Sequence, residues 1–173
     1  MKTYKQRPTA QAEITGQTWE NLITNTIKQL KLPYVSQPHA HCTIPMSAIL
    51  QKLGLGVNQY SDGYFPDQHM HVQVKGGDGK GTDCIDKKFL GDFVLFELGY
   101  YGLDQDVSLY GDRPHVLYIF AGMKEQSAYA NIFCAVLAEA KKQGKPWAPY
   151  VHALRFSELT RDAVLACTEG VLV

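Results

Sequence analysis

The apolar segment DRPHVLYIFAG at 112–122 limits most strongly how this chain can fold. Its centre, VLYIF, is an unbroken run of β-branched, aromatic and aliphatic residues, which is typical of a buried strand. The segment that follows, SAYANIFCAVLAEAKKQG at 127–144, has apolar residues at helical spacing and ends at Gly144, a natural helix terminator. The sequence therefore predicts a domain that contains both sheet and helix.

Two further helices are predicted in the first third of the chain. Residues 17–31 carry apolar side chains at helical spacing, and we expect the preceding residues, 1–16, to form a loose arm. Residues 43–53 form the second helix, which must start near Cys42 because Pro45 is tolerated only in a first turn.

After the helix at 43–53 the periodicity changes to that of strands. Residues 55–60 predict a short strand, and HMHVQVK at 69–75 alternates polar and apolar side chains. GGDGKG at 76–81 has the composition of a turn, so 82–86 is expected to return beside 69–75 as a β-hairpin. The period of 91–101 fits either a strand or a short helix.

The C-terminal part predicts a strand at YVHALRF and a final helix, SELTRDAVLACTEG, capped by Ser157. No repeat, low-complexity segment or linker interrupts the chain. We therefore expect a single α+β domain over residues 1–173.

Composition and charge exclude several classes of partner. Hydrophobic residues make up 45% and charged residues 20%, as in ordinary globular proteins. Lys+Arg and Asp+Glu both number 17, so the formal net charge is zero and neither nucleic acid nor an anionic membrane is an expected partner. The polar N-terminus lacks the apolar core of a signal peptide, and no stretch approaches the roughly 20 apolar residues of a membrane helix. The expected location is the cytoplasm.

The four cysteines differ in their surroundings, and none belongs to a CxxC pair, which favours free thiols. Cys134 and Cys167 lie in apolar helical runs and are expected to be buried packing residues, while Cys84 lies in a short strand. Cys42 opens a helix among polar neighbours. Because a helix N-terminus and a nearby imidazolium both stabilise a thiolate, Cys42 is the candidate nucleophile.

The predicted hairpin supplies candidate partners for this thiol. His69 and His71 share one face of their strand because side chains alternate. A symmetric turn would pair His71 with Asp86, and a shift of two residues would pair His69 with Asp86. A one-residue asymmetry would favour Asp83 instead. These residues predict a Cys–His–Asp site in which the carboxylate orients the imidazole.

In order, CTIPMSAILQKLGLGVNQYSDGYFP, HMHVQV and TDCID resemble the transglutaminase-like core of papain-like cysteine enzymes. That core has a cysteine that opens a helix, an LG pair, a GY pair, an H-x-W-V-E-V-like strand and an aspartate. The resemblance covers the segment 42–86 and implies Cys42 as nucleophile, His69 as base and Asp86 as orienting acid. His71 stands where the family usually has tryptophan, so both histidines stay candidates for the base. The implied fold packs the Cys42 helix on an antiparallel β-sheet.

The resemblance implies a hydrolase or acyltransferase that acts on amides or esters through an acyl-thioester and needs no cofactor. Its expected substrate is a peptide, a protein or another amide-bearing molecule. The backbone N–H of Cys42 is one candidate oxyanion donor. Gln37 is another, because it resembles the glutamine that precedes the nucleophile in papain-like enzymes.

Two rival functions fit the same residues. His39 with His41, and His69 with His71, form two H-x-H pairs that predict a metal-binding hydrolase, since zinc accepts histidine and cysteine together. The other rival is a non-enzymatic binding module that keeps a degenerate site.

Two histidines stand apart from these motifs. His115 begins the buried strand and is expected to be a hydrogen-bonded residue at the end of that strand. It is also a reserve base, because other papain-like folds carry the base on such a strand. His152 is expected to be a hydrogen-bonded strand residue without a catalytic role.

Overall fold

A computed structural model describes residues 10–36, 61–76, 87–98, 113–122, 125 and 128–169. Within these ranges the helices are α1 (Ala10–Gln29), α2 (Lys87–Glu97), α3 (Ala128–Lys142) and α4 (Arg161–Ala166). The strands are β1 (Val35–Ser36), β2 (Gly63–Phe65), β3 (Met70–Lys75), β4 (His115–Phe120) and β5 (Val151–Arg155). Short 3₁₀ helices cover Ala148–Tyr150 and Phe156–Glu158.

The five strands form one mixed sheet in the order β1-β2-β3-β4-β5. β1 with β2 and β2 with β3 are antiparallel, whereas β3 with β4 and β4 with β5 are parallel. The expected α+β class is confirmed, but the expected antiparallel sheet is wrong. Parallel neighbours need long crossover connections, and the helices α2 and α3 lie in those connections.

Helices cover both faces of the sheet, which explains why the inner strand β4 is apolar. All six residues of β4 are buried. One face packs on α2 and α3 through a core that includes Phe96, Tyr118 and Phe133. The other face packs on α1 and α4 through a core that includes Ile23 and Leu117. A strand buried on both faces has no polar face, so VLYIF shows no alternation.

The predicted pairing of His71 with Asp86 is wrong. His71 lies opposite Tyr64 on one edge of β3 and opposite Val116 on the other. A strand has only two hydrogen-bonding edges, so no third strand can pair with His71. The described hairpin instead joins β2 to β3, and the chain beyond β3 leads to α2.

Some of the other predicted helices and strands are confirmed, and others are wrong. The predicted strand at 112–122 and helix at 127–144 are confirmed as β4 and α3. Residues 10–16 are helical, so the expected loose arm is wrong there, and the ambiguous segment 91–101 contributes to a helix, α2. Residues 43–53, 55–60 and 82–86 lie outside the described residues.

The final helix starts later than its sequence predicted. Its cap is Thr160, whose hydroxyl accepts a hydrogen bond from the Ala163 N–H at 3.2 Å. The predicted cap, Ser157, lies in the preceding 3₁₀ helix instead. In the part of the chain that the structure describes, no helix combines the length and the apolar character that a bilayer crossing requires.

Candidate functional site

His69 lies in the turn that joins β2 to β3. Its N–H donates to the Pro66 carbonyl at 3.2 Å, and its own carbonyl accepts from the His115 N–H at 2.8 Å. The turn holds His69 at a φ of 45°, in the left-handed region that residues with a Cβ seldom occupy. His69 is therefore fixed at the amino ends of β3 and β4, with its side chain partly exposed.

His71 is held two residues further along, inside the sheet. Its side chain is only 2% exposed, and its Nδ1 lies 3.2 Å from Oγ of Ser61, which is also buried. The Ser61 hydroxyl donates to the Gly63 carbonyl at 2.9 Å, so its oxygen accepts from Nδ1–H of His71. This arrangement assigns the proton of the neutral ring to Nδ1 and makes Nε2 the acceptor nitrogen.

The ring of Tyr64 contacts both imidazoles. Ring centroids are 6.2 Å apart for Tyr64 and His69, and 4.9 Å apart for Tyr64 and His71. The prediction that the two histidines share a face is confirmed, and we call them the imidazole pair. Burial, helped by repulsion from His69, lowers the pKa of His71 to about 4, so His71 is uncharged at neutral pH.

A second pair of histidines lies on the opposite face of the sheet, toward α1 and α4. His115 Nδ1 and His152 Nε2 are 2.9 Å apart, and the two rings are nearly parallel, with centroids 5.1 Å apart. We call these residues the edge pair, because β5 is the last strand of the sheet. Burial, followed by the charges of His115 and Lys141, lowers the pKa of His152 to about 3.

His115 lies on the face of the sheet opposite the imidazole pair. His115 lies in register with Met70, which faces α1, whereas His71 lies in register with Val116, which faces α2 and α3. The expectation of a hydrogen-bonded strand residue is confirmed for His152. Its contact with His115 was not predicted, because it depends on the parallel register of β4 and β5.

The two described cysteines are poor candidates for a reactive thiol. Cys134 lies in α3 but is exposed, so its predicted burial is wrong. Partial burial still raises its pKa. Cys167 follows α4 half-buried, donates to the Ala163 carbonyl at 3.3 Å, and has its pKa raised by burial to about 11. A thiol with a raised pKa holds little thiolate at neutral pH.

Several predicted site residues lie outside the described residues: Gln37, His39, His41, Cys42, Asp83, Cys84 and Asp86. The predictions that rest on their positions stay predictions. Within the described ranges, no group of three or more histidine, cysteine or acidic side chains is arranged to hold a metal ion.

Two ion pairs define the direction of α2. Asp92 Oδ2 lies 3.6 Å from Lys75 Nζ, at the carboxyl end of β3. Five residues later, Glu97 Oε1 lies 2.8 Å from Lys145 Nζ, shortly before β5 begins. The helix therefore runs antiparallel to the strands and starts at the end of β3 opposite His69.

The described chain thus defines an α+β protein with a mixed five-stranded sheet and two histidine pairs on opposite faces. No protein-family model, curated protein or solved structure matches it.

Proposed function

We propose that this chain is a cysteine-dependent hydrolase or acyltransferase of the transglutaminase-like kind, with Cys42 as nucleophile and His69 as base. The proposal includes a helix that begins near Cys42 and packs on the sheet. The observation that supports it most is the imidazole pair, which gathers a partly exposed histidine and a neutral buried histidine at one end of β3. The proposed substrate is a peptide, a protein or another amide-bearing molecule.

Exposure and charge favour His69 over His71 as the base. A base must reach the thiol and carry the proton that it removes. His71 is 2% exposed, and its lowered pKa means that burial disfavours its charged form. His69 is partly exposed and held in a strained backbone conformation, a feature that clusters at functional sites. In this proposal His71 supports Tyr64, which in turn contacts His69.

The chemistry follows from these roles. His69 takes the proton of the Cys42 thiol, and the thiolate attacks the substrate carbonyl carbon. The Cys42 N–H and the Gln37 amide are the proposed donors to the resulting oxyanion. Collapse of the intermediate breaks the bond to the leaving amine or alcohol, which takes its proton from His69, and an acyl-thioester remains. Water or an acceptor amine, deprotonated by His69, then attacks the thioester and restores the thiol. No cofactor enters these steps.

The thiols should differ in reactivity if this proposal is right. At pH 7 we expect iodoacetamide to label Cys42 at least about tenfold faster than Cys134, because a helix N-terminus and an imidazole lower a thiol pKa. Cys134 and Cys167 have raised pKa values. Time-resolved labelling with peptide mass mapping measures all four rates.

The control for this labelling is Cys42→Ser, which should remove the fast phase and leave the slower sites unchanged. Labelling of Cys134 as fast as Cys42 would contradict the nucleophile assignment. It would favour a metal-dependent site or a binding module instead.

Asp86 remains the proposed orienting carboxylate, and Asp83 provides a matched control three residues away. We expect Asp86→Ala to lower the rate of Cys42 acylation by about tenfold or more, because a carboxylate beside the base stabilises its imidazolium. Asp83→Ala should leave the rate unchanged. Acylation by an activated ester, followed by intact mass, gives both rates.

The outcomes of this comparison are distinct. If Asp83→Ala slows Cys42 acylation and Asp86→Ala does not, Asp83 is the carboxylate that orients the base. Normal rates for both variants would mean that neither carboxylate between β3 and α2 orients the base.

A further inference from the structure

We propose that the groove between α2 and α3 binds a neutral aromatic small molecule. The groove has a volume of about 490 Å³, which lies within the range of cavities that hold drug-sized ligands. Its lining comes from α2, from α3 and from the segment between α3 and β5. None of these residues takes part in the proposed cysteine chemistry, so the two proposals can fail independently.

Two aromatic rings in the lining favour an aromatic ligand. Phe93 and Trp147 both line the groove, and their ring centroids are 5.9 Å apart at an interplanar angle of 49°. Both side chains belong to the core beneath the helices and are held there by their burial. Aromatic rings prefer tilted or offset contacts with centroids about 4.5–7 Å apart, and a ligand ring beside this pair can adopt the same geometry.

Hydrophobic side chains in the groove remain in contact with water. Val94 of α2 is 57% exposed, the highest fraction among the large hydrophobic residues that the structure describes. Ala135 of α3 lines the same groove and is exposed as well. Transfer of apolar surface out of water is favourable, and an apolar ligand in the groove would cover both side chains.

The charged groups of the lining already have partners within the protein, which favours a neutral ligand. Glu97 Oε1 lies 2.8 Å from Lys145 Nζ, and the hydrogen bond from Lys145 lowers the pKa of Glu97. Glu139 Oε1 accepts from Gln143 Nε2 at 2.9 Å, and its Oε2 lies 3.9 Å from Lys142 Nζ. A charged ligand would have to displace one of these contacts and give up its own hydration, whereas a neutral ligand has neither cost.

A matched pair of dyes tests the charge of the ligand. N-phenyl-1-naphthylamine is neutral, and 8-anilino-1-naphthalenesulfonate has the same rings with one added sulfonate. The full chain is titrated into a low, fixed concentration of each dye, and dye fluorescence gives the Kd. We expect one site for the neutral dye with a Kd of roughly 10–200 μM, as the usual ligand efficiency implies. The sulfonate should bind at least about tenfold more weakly, because Glu97 and Glu139 repel it. Equal or tighter binding of the sulfonate would overturn the proposal.

Two alanines of α3 supply a matched pair of variants. Ala135 lines this groove, whereas Ala138 lines a separate cavity between α3, α4 and β5, and both residues are exposed. Ala135→Leu fills part of the groove, so we expect it to weaken binding of the neutral dye at least about fivefold, while Ala138→Leu leaves binding unchanged. Leucine is a good helix former, so both variants should fold. Normal binding by Ala135→Leu, or weakened binding by Ala138→Leu alone, would place the dye elsewhere and contradict the proposal.

The rival occupants of the groove are a second copy of the chain and an aliphatic molecule. Sedimentation velocity at the titration concentrations should give the same coefficient with and without the neutral dye, and 1-naphthalenemethanol should displace the dye more effectively than 1-decanol. A dimer that the dye dissociates would assign the groove to a second copy and refute the proposal. Stronger displacement by 1-decanol would assign the groove to an aliphatic chain and refute it as well.

Discussion

Replacing His69 with alanine should slow acylation of Cys42 by a factor of about 10²–10⁴, the usual contribution of a positioned acid–base group. The variant loses the group that takes the thiol proton, so little thiolate forms at neutral pH. The measurement is the burst of chromophore released from an activated ester such as a nitrophenyl acetate. Intact mass and peptide mapping must place the acyl group on Cys42.

The neighbouring histidine supplies the control for this prediction. His71→Gln removes the buried ring but leaves His69, so we expect its acylation rate to stay within about tenfold of the parent if the base is His69. The opposite order, with His71→Gln slow and His69→Ala normal, would make His71 the base. A slow His115→Gln variant beside a normal His69→Ala would place the nucleophile on the other face of the sheet and refute the transglutaminase-like assignment.

Acid should destabilise the folded chain well above the pH at which most carboxylates titrate. Burial lowers the pKa of His71 to about 4 and that of His152 to about 3, from 6.5 in the unfolded chain. Both groups are neutral when folded, so the unfolded state binds more protons as the pH falls below 6.5. The stabilisation is complete above pH 6.5 and is lost progressively toward each folded pKa. Between pH 6.5 and 5 we expect a loss of about 2 kcal/mol for each histidine.

Urea denaturation at pH 7.5, 6.5, 5.5 and 5, with a chelator present, measures this loss as a change in the free energy of unfolding. His71→Gln and His152→Gln each remove one titrating ring, so each should flatten the profile by about half. A parent profile that is flat from pH 7.5 to 5 would contradict both lowered pKa values.

The two elements of the fold that the sequence predicted best are β4 and α3. VLYIF is apolar without interruption, and AYANIFCAVLAEA has a clear helical period, so local pattern was sufficient for each. The order and direction of the strands were not local properties. GGDGKG has the composition of a hairpin turn, yet β3 is followed by a crossover to α2, because its two edges pair with β2 and β4.

Of the contacts in the described site, strand alternation predicted only the proximity of His69 and His71. Alternation predicts that His69 and His71 share a face, and both rings contact Tyr64. His69 nevertheless reaches that ring from the turn before β3, where alternation no longer applies. The contact of Ser61 with His71 was missed, although a signal was present. Pro66 and Asp67 stand between the strand-like runs GYF and MHV, which is the composition of a turn. The contact of His115 with His152 had no such signal, because it joins residues 37 positions apart across two parallel strands.

β3 has an antiparallel neighbour on one side and a parallel neighbour on the other. The contacts of the two histidine pairs therefore depend on different steps of folding. The hairpin of β2 and β3 closes a turn of four residues, so Ser61, Tyr64 and His71 can meet early at a small cost in chain entropy. β4 and β5 reach their places only after long crossovers close, and parallel pairing of that kind is intrinsically slow. The imidazole pair therefore belongs to a local folding unit, whereas the hydrogen bond of the edge pair exists only once the last strand has docked and so marks the completed sheet.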